Sequence, residues 1–143
     1  MKTKAKIFLS YARVDRAKVV KLWHRLKAEG FTPWMDTKTL VGGTNWQQEI
    51  KKAIRSADFF LVCLTPNSIG KRGYVQAEIK QALDVLNEFP EDQIYLIPVR
   101  MEECQLPDGL SEINCVDLFA KGGWHLLLDS LQEGLRRRTP KAI

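Results

Sequence analysis

A chain of 143 residues has room for one ordinary domain with a real hydrophobic core, and too little for two. Its 45% hydrophobic and 27% charged residues exclude a disordered chain, and no apolar run approaches the ~20 residues of a membrane-spanning helix. The net charge of +5 favours contact with anions, phosphates included, without selecting one. Met1-Lys2-Thr3-Lys4 is basic, but no signal-peptide core follows, so the expected location is cytoplasmic, with no membrane contact.

In chain order, Ile7-Phe8-Leu9 is a short apolar run ended by Ser10-Tyr11-Ala12-Arg13, and reads as a buried first strand. Asp15 is placed to cap the next helix, whose Val19, Leu22, Trp23 and Leu26 keep helical spacing until Gly30 stops it. Phe31 to Met35 makes a second strand, and Pro33 points to a sheet edge. A loop from Thr37 to Asn45 carries Gly42-Gly43 at its apex. Thr44 and Gln47 have capping-box spacing, ahead of a helical stripe of Trp46, Ile50, Ala53, Ile54 and Ala57. Phe59 to Leu64, FFLVCL, is apolar throughout, as a central strand covered on both faces must be.

Thr65 to Arg72 reads as a polar, basic loop. A helix from about Gly73 to Phe89 then buries Val75, Ile79, Ala82, Leu86 and Phe89 and turns Tyr74 and Glu78 away from that stripe. Ile94 to Val99 is a fourth strand, which Pro98 limits near its end. Glu102 to Asn114 is an irregular connection, Cys115 to Leu118 a short last strand, and Trp124, Leu127, Leu128, Leu131 and Leu135 mark a final amphipathic helix. One domain over 1–138 is expected, with 139–143 a disordered tail.

Strands alternating with helices imply an α/β, flavodoxin-like three-layer sandwich. Its five-stranded parallel sheet has the order 2-1-3-4-5, with helices on both faces. Ligands of such sheets bind outside the carboxyl ends of the strands where the strand order reverses, here between strands 1 and 3. That rim gathers Ser10 to Arg13, Asp36 and Thr65 to Arg72. Glu78 is expected near it, sharing a helix face with Tyr74 four residues earlier.

Several chemistries are absent. SYARVD contains no glycine, so no G-x-G-x-x-G follows the first strand, and there is no G-x-x-x-x-G-K-[ST]. Cys63, Cys104 and Cys115 have no C-x-x-C spacing, and Cys63 reads as a reduced core residue. His24 and His125 lie far apart, so no metal site is expected. Arg136-Arg137-Arg138 reads as a solvated helix end rather than a nucleic-acid arm.

Each candidate site residue has a structural alternative. Glu78 suits stabilisation of a developing positive charge, or simply pairs with Lys71 or Lys80 on a solvated helix. Tyr74 offers a flat stacking face, or packs or caps its helix. Arg13 can hold a pyrophosphate or be a solvated loop residue. Asp36 can bind substrate or end a strand. Trp34 and Trp46 read first as packing residues, and Gly42-Gly43 as flexibility for a loop that moves on binding.

FLSYARVD, GFTPWMDTKTLVGG, WQQEIKKAIRSADFFLVCLT and RGYVQAEI, in that order, resemble the Toll/interleukin-1 receptor (TIR) domain family, its bacterial members most of all, from about Lys6 to Leu135. The resemblance implies one of two activities: NAD+ glycohydrolysis, with cyclic ADP-ribose among the products of some members, or TIR–TIR assembly as a non-catalytic adaptor. Either belongs to defence or signalling. It implies Glu78 as the catalytic carboxylate, with Tyr74 standing where the family commonly has tryptophan. It further implies NAD+ contacts at Ser10, Tyr11, Ala12, Arg13, Asp36, Leu40, Gly43, Trp46 and Tyr74. NAD+ is then substrate, with no separate cofactor, and self-association or pairing with another TIR protein is expected through the 37–45 loop. Nucleic acid is not an expected partner.

Overall fold

The apolar runs form five parallel strands, β1 (Lys6–Ser10), β2 (Thr32–Trp34), β3 (Phe59–Leu64), β4 (Leu96–Arg100) and β5 (Val116–Asp117), in the order β2-β1-β3-β4-β5. The computed structural model describes residues 5–35, 46–69, 80, 82–88 and 93–138. Its helices are α1 (Arg16–Ala28), α2 (Trp46–Ser56), the single turn α3 (Pro66–Ile69), α4 (residues 82–86) and α5 (Gly123–Arg138). Among the described residues no helix is long and apolar enough to cross a membrane. The expected fold class and strand order are those observed.

Alternation along each strand divides the core in two. Ile7, Leu9, Phe59, Leu61, Ile97 and Val99 pack with Val19, Leu22 and Leu26 of α1 and Leu127 and Leu131 of α5. Phe8, Phe60, Val62, Leu64 and Leu96 face the other way, toward Ile54 of α2, Ala57 just after it, and Ala82 and Val85 from α4. Every residue of β3 is buried, which accounts for its unbroken apolar run. Each such side chain contributes about 1.5–3 kcal/mol relative to exposure. Cys63 is a buried free thiol within it, as its sequence context implied.

Helix ends follow from local chemistry. At Gly30, φ is 96°, a conformation glycine adopts without a Cβ penalty. Its N–H bonds the carbonyl of Lys27 while Phe31 N–H reaches back to Leu26, closing α1 and aiming the chain into β2. Pro33 lies on the edge strand, as expected.

Several boundaries differ from expectation: the second strand contracts to Thr32–Trp34, and the helix expected to reach Phe89 ends by residue 86. Residues 66–69 form a helical turn rather than a loop, because Thr65 Oγ1 accepts the N–H groups of Asn67 (3.2 Å) and Ser68 (3.3 Å) and Pro66 needs no donor partner. The fourth strand starts later and passes through Pro98 to Arg100. Arg100 accepts from Leu118 N–H, so the even residues of β4 face β5; β5 begins only opposite Val99, leaving no bond for Pro98 to break. The last strand contracts to Val116–Asp117. The expected tail, 139–143, lies outside the described residues.

The arginine triplet closes the domain rather than extending from it. Arg136 and Arg137 both bond Glu133, holding its carboxyl down at about 2. Arg138 donates to Ile94 O (2.6 Å) and lies over the Phe59 ring at 4.6 Å.

Candidate functional site

β1 and β3 end side by side, with Ser10 in register with Val62, and the chain leaves both strands at one rim. Ser10 continues the side of β1 that carries Phe8, so its hydroxyl faces the α2–α4 layer. It is 1% exposed and Oγ makes no hydrogen bond among the described residues. Such a hydroxyl costs about 1–3 kcal/mol unless something meets it.

The next three residues diverge. Tyr11 turns to the opposite face, packs against the α1–α5 core and accepts a bond from Arg16 Nη1 (3.2 Å). Ala12 is buried, and its carbonyl accepts Asp15 N–H at 2.8 Å to form the 3-10 turn Arg13–Asp15. Arg13, exposed at the head of that turn, leaves its guanidinium at the surface of the rim. Ser10–Arg13 is therefore a short stretch presenting one hydroxyl inward and one cation outward, rather than four residues lining one wall.

Asp15 departs from its expected role. It occupies the N-cap position of α1 but makes no capping bond, and it is 1% exposed. Its carboxylate crosses to the loop after β3, where Oδ2 accepts from Thr65 Oγ1 (2.5 Å) and Oδ1 from Asn67 Nδ2 (3.1 Å). Thr65 and Ser68 interlock in turn: Thr65 N–H donates to Ser68 Oγ, which donates to Thr65 O, both at 3.0 Å. A residue fifty positions away in sequence satisfies this carboxylate, so no local spacing reveals the pairing. Burial, with the Asp15 charge second, pushes the Cys63 thiol up to about 12, so it is no nucleophile at neutral pH.

Asp36, Leu40, Gly43, Tyr74 and Glu78 lie outside the described residues, as does the side chain of Trp46 at the start of α2. Trp34 stacks on Phe8 (centroids 4.9 Å apart), in keeping with its packing role. It borders a cleft of about 350 Å³ shared with Lys6, Thr32, Lys52 and Ser56, which involves none of the rim residues.

A second polar knot braces the far side of the sheet. Arg100 grips Asp117 with two bonds of 2.6 and 2.7 Å and donates to Cys104 O at 2.7 Å. That guanidinium holds the Asp117 carboxyl below its ordinary value. An ion pair between Lys18 and Glu102 ties α1 to the segment after β4.

Comparison with known proteins agrees with this architecture. The TIR domain family model matches residues 7–131. An uncharacterised protein of Sinorhizobium fredii, y4cD, is 33% identical over 121 residues; the match takes in 83% of this chain but 18% of y4cD. The TIR domain of the Toll-related receptor TRR-2 from Hydra magnipapillata superposes with a TM-score of 0.73 at 19% identity, covering 88% of this chain and 97% of that one. The TIR domains of the activated Roq1 resistosome give 0.60 at 21% identity, over 93% and 74% of the two chains. A prokaryotic SEFIR domain gives 0.69 at 17% identity, over 98% and 100%. At these identities the structures speak to the fold, while the family model, matching nearly the whole described domain, speaks to descent. The chain belongs to the Toll/interleukin-1 receptor domain family.

Proposed function

We propose that this TIR domain is an NAD+ glycohydrolase acting in defence or signalling, releasing nicotinamide and forming ADP-ribose, in linear or cyclic form. The observation that carries the reading is the rim itself. In a chain of this family, the strand-order reversal brings the loop after β1 beside the loop after β3, with the unmatched Ser10 hydroxyl beneath. The chain leaving that second loop leads on to Tyr74 and Glu78 in the sequence.

The chemistry requires little. The ribose C1′–N bond breaks with its electron pair leaving on nicotinamide, which departs neutral, so no general acid is needed. Positive charge develops on the ribose as in glycoside cleavage. The Glu78 carboxylate accepts the ribose hydroxyls and stabilises that charge. Water then adds to C1′ and loses a proton, or a nucleophile of the adenine closes the ring. Arg13 takes the pyrophosphate and Ser10 a substrate polar group. Tyr74, Trp46, Leu40, Gly43 and Asp36 complete the contacts, Tyr11 and Ala12 contributing through the backbone and shape of the turn.

Self-association through TIR–TIR contacts and the 37–45 loop accompanies the proposal. The Roq1 neighbour is described in an activated resistosome, which motivates assays under clustering conditions. Concentrated or bead-clustered protein incubated with NAD+, with products resolved by chromatography, is expected to release nicotinamide. Glu78→Gln should lower the rate about 10²–10³-fold. No release from wild type under those conditions overturns the enzyme reading and leaves the adaptor reading, in which Leu40→Asp abolishes association and Glu78→Gln does not.

A further inference from the structure

We propose that Asp15 is a positioning residue for this reaction, acting through Arg13; the inference rests on the NAD+ glycohydrolase reading. Its starting point is a mismatch between location and use. An aspartate at a helix N-cap ordinarily bonds the first-turn N–H groups in water's company. Here the carboxylate gives up that role, is buried, and spends both oxygens on the loop after β3.

A buried carboxylate is costly unless fully bonded, and α1 could be capped more cheaply by an exposed serine or asparagine. What the buried arrangement provides is rigidity between two loops that have no strand pairing beyond Ser10. Ala12 O holds Asp15 N–H, Asp15 holds Thr65 and Asn67, and Thr65 holds Ser68. Arg13 is the first residue of the turn so clamped. Its Cα position, and hence the reach of its guanidinium, is set relative to the chain that continues from β3 toward Glu78. A substrate whose pyrophosphate meets Arg13 and that lies across both loops loses affinity as a whole molecule when the registry between them is lost.

The test is a double-mutant cycle on steady-state NAD+ hydrolysis, with rates expressed per folded molecule. Thr65→Val removes the hydroxyl that anchors Asp15; Thr65→Ser retains it; Asp15→Asn keeps the shape but replaces one of the two carboxylate acceptors with a donor. Thr65→Val and Asp15→Asn are expected to raise KM about tenfold with kcat changed far less, and Thr65→Ser to restore the wild-type KM. Arg13→Ala should raise KM similarly, and Arg13→Ala with Thr65→Val together should be no worse than Arg13→Ala alone. An unchanged KM in both Thr65→Val and Asp15→Asn, or effects that multiply in the double variant, overturns the positioning role while leaving the enzyme reading intact. Wild type that releases no nicotinamide overturns the enzyme reading, and this proposal with it.

Discussion

Asp15 and Ser10 sit five residues apart on the same rim, each 1% exposed, on opposite faces of the sheet. On the α1–α5 face, the Asp15 carboxylate meets two donors and its partners are themselves bonded. On the α2–α4 face, the Ser10 hydroxyl meets none among the described residues. Burial alone requires the bonds of the first arrangement, since a carboxylate at that depth must be satisfied. It does not explain the second, since an alanine would fill the space without the desolvation penalty. The difference separates a brace from an unmatched group: the bonded carboxylate fixes geometry, and the unbonded hydroxyl is the one that the proposed reaction would use.

The comparison can be broken by mutation. The largest expected effect lies on the braced face, where Gly134 of α5 is pressed against β3. A Cβ there would stand 2.5 Å from Phe59 Cε1, so Gly134→Val should cost about 3 kcal/mol in urea unfolding; a loss below about 1 kcal/mol would mean that this face yields easily. Thr65→Val comes next, leaving Asp15 short of a donor, with an expected loss of about 2 kcal/mol. Asp117→Asn is smaller, below about 1 kcal/mol, because the Arg100–Asp117 fork is partly exposed.

That fork also carries a pH signature. Asp117 titrates lower in the folded protein than its ordinary 3.8, so its contribution is complete above that value and is lost as pH falls through the folded one. Wild type should therefore lose more stability than Asp117→Asn in acid melts below pH ~4. Equal slopes would remove the fork from the account. Ser10→Ala is the smallest and the most telling: stability unchanged or up to about 1 kcal/mol higher, with nicotinamide release reduced. A loss matching that of Thr65→Val would show that Ser10 is a brace too.

Much of the fold was legible because one periodicity governed each element. FFLVCL reads as a strand covered twice, Gly30 as a stop, and Pro33 as an edge, and each is found so. Pro98 misled because its harmlessness depends on where β5 begins, which no residue near Pro98 encodes. Thr65-Pro66-Asn67-Ser68 carried a helix-start signal that its polarity disguised as loop. The rim was legible as topology, whereas the division of labour within it was not: SYARVD does not tell that Tyr11 turns away from Ser10, nor that Asp15 finds its partners fifty residues on.

Asp58 joins the two ends of the described fold. Its Oδ2 accepts the backbone N–H of Lys6 (2.8 Å), where β1 begins, and its Oδ1 lies 3.7 Å from Nη1 of Arg138, where α5 finishes. Entry and exit thus share one side chain, at the end of the sheet away from Ser10. The described fold therefore begins and ends at a single edge, as a closed loop is hung from a single hook. Labels, surface tethers or fusion partners joined there stand at the end of the sheet away from Ser10, and joining the two ends by a short linker should allow the chain to be reopened elsewhere without loss of the fold.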